Sequence, residues 1–132
     1  MEFNKKVTHS FFELRKDKDI ISKSKMIGSQ YVMEFPPPDF DIDYLVLSPD
    51  TTYLHNVLKI NGYVDESMRQ QYEGLSCFKS YRRLCVNLIV TGSKFFYYKF
   101  LLATWLCKVF KVYDKNKRIA LHQFILYGKI PG

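Results

Sequence analysis

Apolar positions change rhythm several times along the chain, and each change predicts an element. Residues 10–20 read as a short charged helix whose only apolar anchors are Phe11, Phe12 and Leu14. Residues 23–27 form a short candidate strand that ends at the small-residue break Gly28-Ser29. Pro36-Pro37-Pro38 fits neither a helix interior nor a central strand, so residues 33–39 are expected as an extended loop. The run Asp41-Ile42-Asp43-Tyr44-Leu45-Val46-Leu47, closed by Ser48-Pro49, is the clearest strand. Tyr53, Leu54, Val57 and Leu58 fall at helical spacing, with Asn61-Gly62 as the stop. Residues 65–74 are polar and predict no clear element. Residues 77–81 and 85–90 read as adjacent strands of a hairpin ended by Gly92-Ser93.

From Ser93 the period becomes helical. Phe96, Phe100, Ala103, Cys107 and Phe110 follow at intervals of four, three, four and three, which is one helix face. After a break at residues 114–116, a last helix carries Ile119, Leu121, Phe124 and Ile125 and stops at Gly128. No internal repeat is present. The order predicts an α+β fold, a small mixed β-sheet packed against helices. A single domain over 1–132 is expected, with an N-terminal helical segment at 1–20 and a C-terminal helical pair at 93–128.

Composition narrows the class. With 47% hydrophobic and 25% charged residues, the 132-residue chain is expected to fold around a real core rather than remain disordered. Its net charge of +7 favours polyanionic partners such as nucleic acid or nucleotide phosphates, although the basic residues are dispersed and serve solubility equally well. Three cysteines without CxxC or Cys/His spacing argue against a disulfide framework and a zinc site, so a reducing, cytoplasmic setting is expected. The polar start lacks the apolar stretch of a signal peptide, and the longest apolar run, 95–110, is broken by Lys99 and Lys108. No membrane association is expected.

Several conspicuous residues have ordinary expected roles. His9, His55 and His122 lie far apart and read as surface or core residues. Cys85 and Cys107 read as small core residues, whereas Cys77 is ambiguous. Trp105 and the Phe95-Phe96-Tyr97-Tyr98 cluster offer a base-stacking platform, with core packing as the default. Lys94, Lys99, Arg82 and Arg83 read by default as a solvated basic face.

The candidate chemistry lies earlier in the chain. Asp41 and Asp43 are two apart on a strand, so both carboxylates point to one face and can share one ion. Two such carboxylates repel unless a cation neutralises them, and oxygen ligands select Mg²⁺ or Mn²⁺. At Gly28-Ser29 a residue without a side chain lets backbone approach a phosphate, and the Ser29 hydroxyl adds a donor.

Gly28-Ser29, a gap of about a dozen residues, then Asp41-Ile42-Asp43-Tyr44-Leu45-Val46 resembles the signature of the DNA polymerase β-type nucleotidyltransferase superfamily. The segments at 36–43, 86–91, 103–108 and 114–128 are more specifically similar to small phage-encoded nucleotidyltransferase-like proteins. The resemblance implies a minimal nucleotidyltransferase-like fold in which Gly28 and Ser29 hold a nucleoside triphosphate and Asp41 and Asp43 bind two metal ions. It also implies a third carboxylate on a later strand, acting on the attacking hydroxyl. That strand carries Asn87 at the expected position, and an amide has neither charge nor basicity. Three readings stay open: Asp39 substitutes, Asp65 or Glu66 enters from the intervening loop, or turnover is lost. The implied function is nucleotidyl transfer to an unidentified hydroxyl acceptor on a nucleic acid, protein or small molecule. The alternatives are a degenerate phage protein that binds a nucleotide or a host protein in the host cytoplasm, and a basic nucleic-acid-binding module.

Overall fold

The computed structural model describes residues 11–36, 41–66 and 78–128. Its elements are α1 (Phe11–Leu14), β1 (Lys23–Ile27), α2 (Ser29–Val32), β2 (Ile42–Leu47), α3 (Thr51–Ile60), β3 (Val64–Asp65), β4 (Phe78–Arg83), β5 (Val86–Thr91), α4 (Lys94–Val109) and α5 (Lys115–Tyr127). The strands form one mixed sheet in the order β1-β2-β5-β4-β3, with β2 and β5 parallel and the other pairs antiparallel. The α+β architecture expected from the pattern is therefore the one observed.

Alternation along β2 and β5 divides the interior into two cores. Tyr44, Val46, Leu88 and Val90 face Phe11, Leu14, Leu54 and Leu58, the apolar sides of α1 and α3. Leu45, Leu47 and Ile89 face Phe96, Tyr97 and Phe100 of α4, with Leu126 of α5 closing the edge. Side-chain caps start the longer helices where the sequence places them: Asp50, Ser93 and Asp114 accept from the backbone N–H of Tyr53, Phe96 and Lys117. Gly128, at φ +72°, ends α5 in the left-handed conformation.

Four local expectations are corrected. The helix expected over 10–20 shrinks to the single turn α1, because Asp17 draws the chain into a turn. Its side chain accepts from Asp19 N–H at 3.0 Å, and its carbonyl accepts from Ile20 and Ile21. Cys85 is exposed rather than a core residue: Leu84, at φ +53°, and Cys85 form the tight turn of the β4–β5 hairpin. Phe110 leaves the buried face of α4, since it is the C-cap where the helix stops. On α5 the apolar residues are only half-buried or exposed, and the buried side chain is His122. Cys77 and Asp39 lie outside the described residues. Among the described residues no helix is long and apolar enough to cross a membrane.

Candidate functional site

A polar row crosses the sheet on the face that carries α4 and α5. Register sets Ile27 beside Asp43, Asp43 beside Asn87, and Asn87 beside Arg82, so these side chains share one face. Asp41, two residues earlier in the same strand direction, joins them at the rim. The row lies at the amino ends of the parallel strands β2 and β5, the opposite end from the ligand crevice of doubly wound sheets.

The row forms the floor of a cleft of about 720 Å³. Gly28, Ser29, Asp41, Asp43, Glu66 and Arg82 line one side, and Thr104 of α4 with Lys115, Arg118 and His122 of α5 lines the other. The four residues singled out by sequence, Gly28, Ser29, Asp41 and Asp43, are thus brought together, and Asn87 with them.

Gly28 and Asp43 are sterically coupled. Gly28 has φ +71° and ψ −162°, a region essentially restricted to glycine. A Cβ built there would overlap Asp43 Oδ2 and sit 3.0 Å from its Cγ. The space at Gly28 is therefore filled by the carboxylate itself. Ser29, the first residue of α2, is buried beside it.

The two carboxylates have opposite electrostatic settings. Burial raises the Asp43 pKa above the usual carboxylate range and the Asp41 charge adds to the shift; the Asn87 amide opposes it, donating from Nδ2 to Asp43 Oδ1 at 2.9 Å. Asp41 is lowered, first by the hydrogen bond from Arg82, whose Nη2 donates to Asp41 Oδ2 at 2.6 Å. The same guanidinium donates from Nε to Glu66 Oε1 at 2.9 Å. Arg82 is therefore not the solvated basic residue expected from its position in the hairpin. It sits between two carboxylates that the sequence holds 25 positions apart, a pairing with no local sequence signal.

Glu66 reaches this cluster because it directly follows β3, whose Asp65 pairs in register with Tyr81 of β4; the Glu66 N–H donates to Ser80 O at 2.7 Å. Of the carboxylates offered as substitutes for a third acid, Glu66 enters the cleft, Asp65 is exposed on the edge strand, and Asp39 is outside the described residues. Sequence reasoning missed Arg82, Lys115 and Arg118 as cleft residues. Lys115 and Arg118 stand three apart in the first turns of α5, a spacing that shares a helix face but does not say which cleft it meets.

A divalent ion fits this donor set in one form. Mg²⁺ is commonly held by one or two carboxylates together with substrate phosphates rather than by a complete protein cage. Asp41 and Asp43 supply two such carboxylates, and Asn87 supplies an amide beside them. Among the described residues no three His, Cys, Asp or Glu side chains form a group able to hold a metal by themselves.

His122 closes the inner wall. Its Nδ1 lies 2.7 Å from Arg118 O, which can only accept, so Nδ1 carries the proton. Thr104 Oγ1 donates to Phe100 O at 2.9 Å and lies 3.0 Å from His122 Nε2. Burial pushes the His122 pKa down to about 4. The unfolded imidazole titrates near 6.5, so between these values the unfolded state binds more protons and stability falls as pH falls. Acidification from pH 7 to pH 5 should cost roughly 2 kcal/mol of stability through this residue. Denaturant melts of wild type and His122→Gln across that interval check it; equal pH slopes would remove His122 as the cause.

No family model, curated protein or solved structure matched the chain in comparisons with known proteins.

Proposed function

We propose that the cleft binds a nucleoside triphosphate with one divalent cation, and that the chain is a nucleotidyltransferase-like protein. The observation that carries this reading is the abutment of Gly28 on the Asp43 carboxylate, which joins the Gly-Ser turn and the carboxylate pair into one surface. Across the cleft stand Lys115 and Arg118, and Arg118 Nε is buried without a hydrogen-bond partner among the described residues. One wall attracts a cation and the other an anion. A metal-bound polyphosphate carries both charges in one ligand, whereas either charge alone meets one repelling wall.

When bound, Mg²⁺ or Mn²⁺ would neutralise charge on the phosphate oxygens and on departing pyrophosphate. Asp41 and Asp43 would hold the ion, while Ser29, Lys115 and Arg118 would orient the phosphates. Transfer would join an acceptor hydroxyl oxygen to the α-phosphorus and break the bond to the bridging oxygen. Pyrophosphate would leave with that electron pair, and the hydroxyl proton would pass to Glu66, the third carboxylate in the cleft. The acceptor is a nucleic acid, a protein or a small molecule, and a cytoplasmic setting belongs to the same reading.

A second reading, nucleotide or host-partner binding without turnover, draws on Asn87 and Arg82. Asn87 holds the strand position where a catalytic acid is expected, and Arg82 already neutralises Asp41. Titration with Mn²⁺ and each NTP tests the shared core of both readings. Saturable, metal-dependent nucleotide binding is expected, and its absence overturns the proposal.

Arg82 also competes with the ion. Its pair with Asp41 is 40% and 39% exposed, so it is worth at most about 1 kcal/mol. Arg82→Met should therefore raise Mn²⁺ affinity by roughly three- to fivefold, measured by electron paramagnetic resonance. Unchanged or weaker affinity would show that Arg82 does not oppose the ion.

A further inference from the structure

Helix α4 carries two apolar faces, and among the described residues only one of them is covered. Phe96, Phe100, Ala103 and Cys107 are buried against the sheet and α5. On the opposite side, Phe95, Tyr98, Leu102, Trp105 and Val109 follow at intervals of three, four, three and four and are 47% to 72% exposed. A helix that is apolar all round is ordinarily buried on every side. The three-four spacing is the seam of a helix pair, in which such residues insert between those of a facing helix.

Charge selects the occupant. Lys94 and Lys108 border one side of the stripe and Lys99 the other, and residues 94–113 contain no Asp or Glu. Pairing α4 with a second copy of itself about a twofold axis near Leu102 would set Lys94 against its mate's Lys108, and parallel pairing would set Lys94 against its mate's Lys99. Neither arrangement supplies a carboxylate. Nucleic acid fits the charge but not the stripe. Leu102 and Val109 have no stacking face, Lys99 Nζ lies 4.3 Å from the Phe95 ring centre, and Lys23 donates to Tyr98 Oη at 2.7 Å.

We infer that the outer face of α4 docks an acidic amphipathic helix of a partner protein, with apolar residues at three-four spacing and carboxylates on both flanks. The stripe from Phe95 to Val109 is about 21 Å long, so the docked helix has about four turns. Lys94, Lys99 and Lys108 pair with its carboxylates, and Trp105 fills the centre of the seam. The surface lies away from the cleft and does not depend on the nucleotide reading.

Trp105 is the only tryptophan, so its fluorescence reports this surface directly. The probe is a synthetic helical peptide of about 18 residues, with leucine at the seam positions and glutamate on both flanks. Binding should be saturable and shift Trp105 emission to the blue. Leu102→Glu should weaken it about tenfold or more. A Lys94→Glu/Lys99→Glu/Lys108→Glu variant should lose the glutamate-flanked peptide and take a lysine-flanked one. Lys94, Leu102 and Lys108 are exposed and Lys99 is half-buried, and circular dichroism checks that the variants fold. The inference is overturned if Trp105 does not respond, or if both peptides bind the wild type equally. Saturable binding of an oligothymidylate at Trp105 in their place, or a stable dimer with Trp105 already buried, would also overturn it.

Discussion

Gly28→Ala is expected to lower stability by roughly 4 kcal/mol and to abolish nucleotide binding. Two costs combine. The backbone at φ +71° and ψ −162° costs an L-residue about 1–3 kcal/mol. The new methyl also enters the space of the Asp43 carboxylate, an overlap of the kind that costs about 1–3 kcal/mol more. Asp43 has little freedom to retreat, because its strand register and the bond from Asn87 fix it. Gly128→Ala is the control. Gly128 has nearly the same positive φ, with nothing within 4 Å of an added Cβ, so its cost is backbone strain of about 1 kcal/mol. Thermal melts of both variants, repeated in an Asp43→Ala background, isolate the overlap. A Gly28→Ala loss no larger than that of Gly128→Ala would mean that the carboxylate does not fill this space.

Asp41→Asn and Asp43→Asn should each weaken metal-dependent nucleotide binding by more than about 100-fold, yet shift stability differently. Burial raises the Asp43 pKa, so the native state binds more protons than the unfolded state between the ordinary carboxylate value and the raised one. Stability falls as pH rises through that window, and above it the buried charge exerts its full cost. Asp43→Asn would remove the charge and keep an acceptor for Asn87, so the melting temperature at pH 7 should rise by a few degrees, on the order of 1 kcal/mol. Asp41→Asn instead loses the pair with Arg82, and stability should stay level or drop by less than about 1 kcal/mol. Metal binding by the wild type should also weaken on acidification before ordinary carboxylates titrate, since Asp43 must be ionised. Full binding by Asp43→Asn would remove it from the ion site.

Much of the fold was legible because its signals are local. The run Tyr44-Leu45-Val46-Leu47 closed by Ser48-Pro49 marked β2, helical spacing stopped by Asn61-Gly62 marked α3, and the change of period from Ser93 marked the start of α4. Errors arose where a long-range or turn interaction outweighed the pattern. Asp17 ends α1 through its own side chain and carbonyl, and Cys85 belongs to a tight turn although its neighbours read as strand. On α5 the pattern pointed to aliphatic residues, but hydrogen bonds with the Thr104 hydroxyl and the Arg118 carbonyl make His122 the residue that can be buried.

By itself the sequence determined the element order, the sheet-and-helix class and one half of the candidate site. Gly28-Ser29 and Asp41-x-Asp43 each follow from spacing within a single turn or strand. Tertiary structure decided the other half, because strand register and helix docking are set by contacts between distant segments. Register put Asn87 beside Asp43 and Arg82 between Asp41 and Glu66, while the packing of α5 on α4 brought Lys115 and Arg118 to the opposite wall. It also decided which of the two apolar faces of α4 is covered. Both have helical spacing, and only the sheet and α5 distinguish the buried one.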